Sequence, residues 1–78
     1  MPWLDIFWTE ENEAHLLAHQ VTRDDAEYVI HHPIGNDLSS SSDRPIVFGY
    51  TAVGRKIAVV YEVVDSITVY PITAYEVD

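Results

Sequence analysis

Seventy-eight residues make one domain, with a core large enough to fold and little stability to spare. Thirteen acids face only Arg23, Arg44, Arg55 and Lys56, for a formal charge of −9. This disfavours general nucleic-acid binding, whose affinity comes largely from cations that neutralise phosphates. The absence of cysteine excludes a disulfide framework or a thiolate metal site and fits a reducing compartment.

No apolar run approaches the roughly 20 residues of a membrane span. Met1-Pro2-Trp3-Leu4-Asp5 lacks the basic region and apolar core of a signal peptide, so a cytoplasmic protein without membrane contact is expected.

The aromatic, apolar stretch Trp3-Leu4-Asp5-Ile6-Phe7-Trp8 predicts a first strand. Thr9 is a good N-cap, and Glu10, Glu11 and Glu13 put negative charge on the opening turns of a helix from Glu10 to about Gln20. Ala14, Leu17, Ala18 and Val21, spaced by three and four, are its expected sheet-facing side. After the linker Gln20-Val21, Thr22 and Asp25 form a capping-box pattern for a second helix. That helix should bury Ala26, Val29 and Ile30 and stop at Pro33, after His31-His32.

Ile34 to Arg44 holds Gly35-Asn36-Asp37 and four serines, Ser39 to Ser42, and reads as a polar, flexible loop. Pro45 to Thr51 is the next expected strand, with Gly49 marking a bulge or a close approach. Ala52-Val53-Gly54-Arg55 turns the chain into Lys56 to Val64, β-branched and apolar enough for a strand buried on both faces. Asp65-Ser66 reverses it, and Ile67-Thr68-Val69-Tyr70 returns. Pro71 implies a bulge or an unpaired side before Ile72 to Val77 resumes the alternation. The order β-α-α-β-β-β predicts an α+β domain over residues 1–78. It is a mostly antiparallel four-stranded sheet with two helices packed on one face, and Pro45 to Val77 form a meander.

His15 and His19, four apart with Glu11, share one helical stripe, the spacing that brings two nitrogens to one metal. A third ligand would have to be Glu11 or one of His31 and His32, and the Glu of the metalloprotease signature is missing. Two interfacial histidines near a helix end, with no metal or cofactor, are the expected arrangement. His31 and His32 could act as acid or base, but at a helix end capping free carbonyls is the simpler role. Arg55-Lys56 is the best candidate anion contact. Tyr61, Tyr70 and Tyr75 read as core or rim packing. No phosphate-binding glycine loop or nucleophile pattern is present.

Several strings, in order, resemble one family. Trp8-Thr9-Glu10-Glu11-Asn12, His19-Gln20-Val21-Thr22, Asp25-Ala26 and Pro33 are similar to the front half of BrnT-type toxins. Asp43-Arg44, Gly49, Gly54-Arg55, Val59-Val60-Tyr61 and Ile72-Thr73-Ala74-Tyr75 are similar to the back half. The resemblance implies a RelE/ParE-like fold, and with it a small metal-independent endoribonuclease neutralised by an antitoxin-like protein partner. Arg44, Arg55 and Lys56 would then meet RNA phosphates, with His19 or Tyr75 as the acid–base group. Tyr50 and Tyr75 stand where the family carries arginines, so weak or lost ribonuclease activity and weak RNA binding are expected. Gln20 replaces the family's helix-ending glycine, so a differently built turn is expected there. The alternative is a non-catalytic protein-interaction domain on the same fold.

Overall fold

Ile57, Ala58, Val59 and Val60 are four consecutive buried residues, as a strand covered on both faces requires. They lie in the middle strand of the sheet. The computed structural model describes residues 5–38 and 44–77, Leu38 by its backbone only. The elements run β1 (Asp5–Ile6), α1 (Glu10–Ala18), α2 (Arg23–His31), β2 (Gly35–Leu38), β3 (Pro45–Tyr50), β4 (Lys56–Val63) and β5 (Thr68–Glu76). The fold is α+β, and its sheet order is β1-β5-β4-β3-β2.

Strands β3, β4 and β5 form the expected antiparallel meander. Two features differ from the expected sheet. It has five strands, because Gly35 to Leu38 pair antiparallel with β3 inside the segment expected to be a loop. The sheet is also mixed, because β1 pairs in parallel with β5. Gly-Asn-Asp has poor strand propensity, so β2 exists through backbone pairing with a neighbour rather than through its own pattern. Parallel pairing of the first and last strands has no connecting turn to announce it. Of the expected first strand, Trp3 and Leu4 lie outside the described residues, as do the serines from Ser39 to Ser42.

Alternation along β4 divides the core. Ile57 and Val59 join Leu16, Ala26, Val29 and Val69 in the larger cluster, which the helices help to build. Ala58 and Val60 join Ile46 in a smaller one. At the end of β4 the register shifts: Val60 pairs with Thr73 and Tyr61 with Pro71, leaving Ile72 without a partner. The bulge therefore falls beside the proline, which has no N–H to give a ladder. Gly49 is a close approach. A Cβ there would lie 3.0 Å from Val29 Cγ1 and 3.3 Å from the His32 carbonyl, so α2 packs onto β3 only because this residue is bare.

The first helix buries a different stripe from the one expected. Asn12 and Leu16 face inward, while Ala14, Leu17 and Ala18 are exposed, Leu17 by 51%. Leu16-Leu17-Ala18 are adjacent and point about 100° apart, so periodicity alone cannot choose among them. The deciding residue is polar. Asn12 is 1% exposed because its side chain is the other half of the N-terminal cap. The Thr9 N–H donates to Asn12 Oδ1 at 2.7 Å, the Asn12 N–H donates to Thr9 Oγ1 at 3.2 Å, and Asn12 Nδ2 donates to the Phe7 carbonyl at 3.0 Å.

The end of α1 also departs from expectation. Gln20 itself adopts φ 63°, the left-handed conformation that favours glycine. The Gln20 N–H donates to the Leu17 carbonyl and the Val21 N–H to the Leu16 carbonyl, both at 2.9 Å. This is a Schellman ending, with Leu16 and Val21, both fully buried in the same core cluster, at the two positions where the motif favours apolar residues. The turn is thus built as a glycine would build it, with the conformational cost borne by glutamine. Thr22 and Asp25 then form the expected capping box of α2. Among the described residues no helix is long and apolar enough to cross a membrane.

Candidate binding groove and the placement of the cations

The turn between β3 and β4 aims Arg55. Gly54 takes φ 89°, its N–H donates to the Thr51 carbonyl at 2.9 Å, and the Arg55 N–H donates to Thr51 Oγ1 at 3.1 Å. Thr51 is 4% exposed, so the turn is anchored in the body of the protein. From there the Arg55 guanidinium donates to the Gln20 carbonyl at 2.8 Å. It also lies 3.8 Å from an Asp25 carboxylate oxygen and 3.5 Å from one of Glu76. One side chain thereby clasps the α1–α2 connection, the start of α2 and the end of β5. Its side chain is 28% exposed.

The other expected RNA contacts are scattered. Lys56 opens β4 opposite Tyr50, and its carbonyl accepts the Val77 N–H at 2.9 Å. His19 is the exposed C-cap of α1, one residue from the carbonyl that Arg55 holds. Tyr75 sits on β5 opposite Ala58, 37% exposed. Arg44 lies at the other end of the β3–β4 hairpin, roughly 20 Å from Arg55 along the strands. There it meets Glu62 at 3.7 Å. Arg23, the fourth cation, stacks 5.5 Å from the centroid of the Trp8 ring, whose Nε1 donates to Glu27 at 2.7 Å. The fold brings His19 close to the Arg55 contact at Gln20 and takes Arg44 away from it. Strand alternation sets Lys56 on the sheet face of Ala58, opposite the face of Ile57 and Val59.

At the Arg44 end a different set of residues converges. Glu11, Asn12 and His15 of α1, Arg44, Glu62 of β4, and Tyr70 and Ile72 of β5 line a groove of about 240 Å³. Tyr70 is fixed there by Phe7, with ring centroids 5.7 Å apart, and by a 3.4 Å contact of its hydroxyl with Thr9 Oγ1. The Arg44–Glu62 pair is loose and its side chains are 43% and 57% exposed, so it contributes little to stability. Asn12 lines the groove, but its amide is used within the helix cap. The sequence marked Glu11 and His15 only as neighbours on a helical stripe. Glu62 and Tyr70 carried no signal, because the β4–β5 register that aligns them opposite each other is a tertiary fact.

The remaining histidines are local. His32 Nδ1 lies 3.0 Å from the Tyr28 carbonyl and its ring stacks on Tyr28 with centroids 4.5 Å apart, matching the expected capping role. Among the described residues no group of three or more His, Cys, Asp or Glu side chains could hold a metal ion. Asp65 organises the β4–β5 turn. Its carboxylate accepts the Ile67 N–H at 2.9 Å, and that bond, with help from the Thr68 hydroxyl, holds its pKa below the ordinary aspartate value. Comparison of the chain with family models, curated proteins and solved structures finds no match.

Proposed function

We propose that the chain is a partner-binding protein on a BrnT-like, toxin-type scaffold, with ribonuclease activity weak or lost. The observation that carries this reading is the use of Arg55. The cation expected to meet phosphate is committed to Gln20, Asp25 and Glu76, and freeing it would loosen the join between the helices and the sheet. Arg44 lies too far away to share one phosphate with it, and Arg23 is stacked on Trp8. Metal-independent RNA cleavage draws on cations that stabilise charge on the phosphate. A chain of charge −9 whose Arg55 and Arg23 are engaged within the protein and whose Arg44 sits at the far end of the hairpin is therefore poorly equipped for it. The chain-long resemblance to BrnT-type toxins supports the lineage and an antitoxin-like protein partner.

The test is cleavage of an unstructured RNA by the wild type and by an Arg55→Ala, Lys56→Ala variant. Slow cutting at most is expected from either protein. Robust cutting by the wild type that disappears in a folded variant would overturn the proposal and restore the ribonuclease.

A further inference from the structure

Building on the reading of the chain as a partner-binding domain, we propose that the groove between α1 and the β4–β5 pair receives a basic side chain, arginine or lysine, from the partner polypeptide. Its lining fits such a group in three ways. Glu11 and Glu62 reach it from different elements, so two carboxylates can embrace a cation entering between them. Tyr70 offers an aromatic ring to the charge and Ile72 an apolar surface to the methylene stem. At about 240 Å³ the space suits one side chain rather than a helix or a strand.

A guanidinium already lines the groove beside one of its carboxylates. Arg44 lies 3.7 Å from Glu62, longer than the roughly 2.7–2.9 Å of a close charge-assisted bond. Both partners are about half exposed, so an incoming cation can take the carboxylate while Arg44 turns to solvent at little cost. An anionic ligand would gain Arg44 but meet Glu11 and Glu62. The acidic balance of the whole chain, −9, would steer a basic partner toward the protein and repel an acidic one. Arg44 is therefore the resident competitor for the groove, and its removal should open the site.

The experiment is an amide NMR titration of the full chain at low ionic strength with a blocked Ala-Arg-Ala peptide. Its citrulline counterpart, of nearly the same shape without the charge, is the control. Saturable shifts at Glu11 to His15, Glu62 and Tyr70 are expected with arginine and not with citrulline. Glu62→Gln should weaken binding a few-fold, as expected for a half-exposed ion pair, and Arg44→Gln should tighten it a few-fold. Glu10→Gln, the same charge change on a helix side chain outside the groove lining, should leave it unchanged. The exchanged groove side chains are solvent-exposed, and the spectra themselves report that each variant is folded. Weaker binding by Arg44→Gln, equal binding of citrulline, or no shifts in the groove would overturn the proposal. If the shifts appear only elsewhere on the acidic surface, the groove falls and the partner-binding reading stands. Efficient RNA cleavage by the wild type would remove the reading itself.

Discussion

Replacing Gln20 by glycine should stabilise this protein. Gln20 holds φ 63° at the end of α1, and its side chain is exposed. A left-handed backbone costs a residue with a Cβ about 1–2 kcal/mol, which glycine does not incur. Glycine gives back part of that, about 0.4–1 kcal/mol, through the extra freedom of the unfolded chain. The expected net gain is roughly 0.5–1 kcal/mol, or about 2–8 °C in Tm for a domain of this size. The Gln20 carbonyl that receives Arg55 belongs to the backbone and is retained, as are the two bonds of the Schellman ending. Thermal unfolding followed by circular dichroism measures the effect, with Gln20→Ala as the control. Alanine keeps the strain and should give no comparable gain. A Gln20→Gly variant no more stable than wild type, or an alanine variant equal to glycine, would refute the strain argument.

Gly49→Ala should do the opposite. Its Cβ would meet the fully buried Val29 and the His32 backbone, so a loss of roughly 1–2 kcal/mol is expected by chemical denaturation. An unchanged midpoint would mean that α2 can move off β3 freely. Asp65, with its pKa held below the ordinary value by the Ile67 N–H, should make stability fall in acid. Its folded pKa lies below its unfolded one. The contribution is therefore complete above the unfolded value, near pH 4, and is lost as pH falls through the folded value. The difference in Tm between wild type and Asp65→Asn should shrink over that window. A difference constant with pH would contradict the assignment.

What could be read from the sequence was what local physics decides. The caps at Thr9 and Thr22, the second helix with Ala26, Val29 and Ile30 inward, the buried Ile57 to Val60 of β4 and the bulge at Pro71 each follow from residue types at short range. By contrast, Glu62, Val63 and Val64, within the stretch expected to be buried, are exposed. What could not be read depends on partners distant in the chain. β2 is a strand because β3 offers a ladder, and β1 lies beside β5 through a contact 63 residues away at Asp5–Thr68. The inward stripe of α1 was hidden because Asn12, a polar residue satisfied by its own cap, holds a buried position where periodicity looks for carbon. The turn at Gln20 was not legible because burial of Leu16 and Val21 and the Arg55 bond favour a conformation that glutamine's own propensity opposes. The candidate site divided in the same way. Arg55 and Lys56 drew attention as adjacent charges, whereas Glu62 and Tyr70 acquire meaning only once the β4–β5 register sets them across from each other.

The claim that Arg55 belongs to the scaffold rather than to a phosphate site is tested most directly by the thermal unfolding of Arg55→Ala. The bond to the Gln20 carbonyl is charge-assisted and 2.8 Å long, and the side chain is 28% exposed. Removing it, with two looser ion pairs, should cost about 1–2 kcal/mol, or roughly 5–15 °C in Tm. Arg55→Lys should recover less than half of the loss, because an ammonium cannot span three acceptors as the guanidinium fork does. A Tm for Arg55→Ala indistinguishable from wild type would contradict the account and leave Arg55 available to bind phosphate.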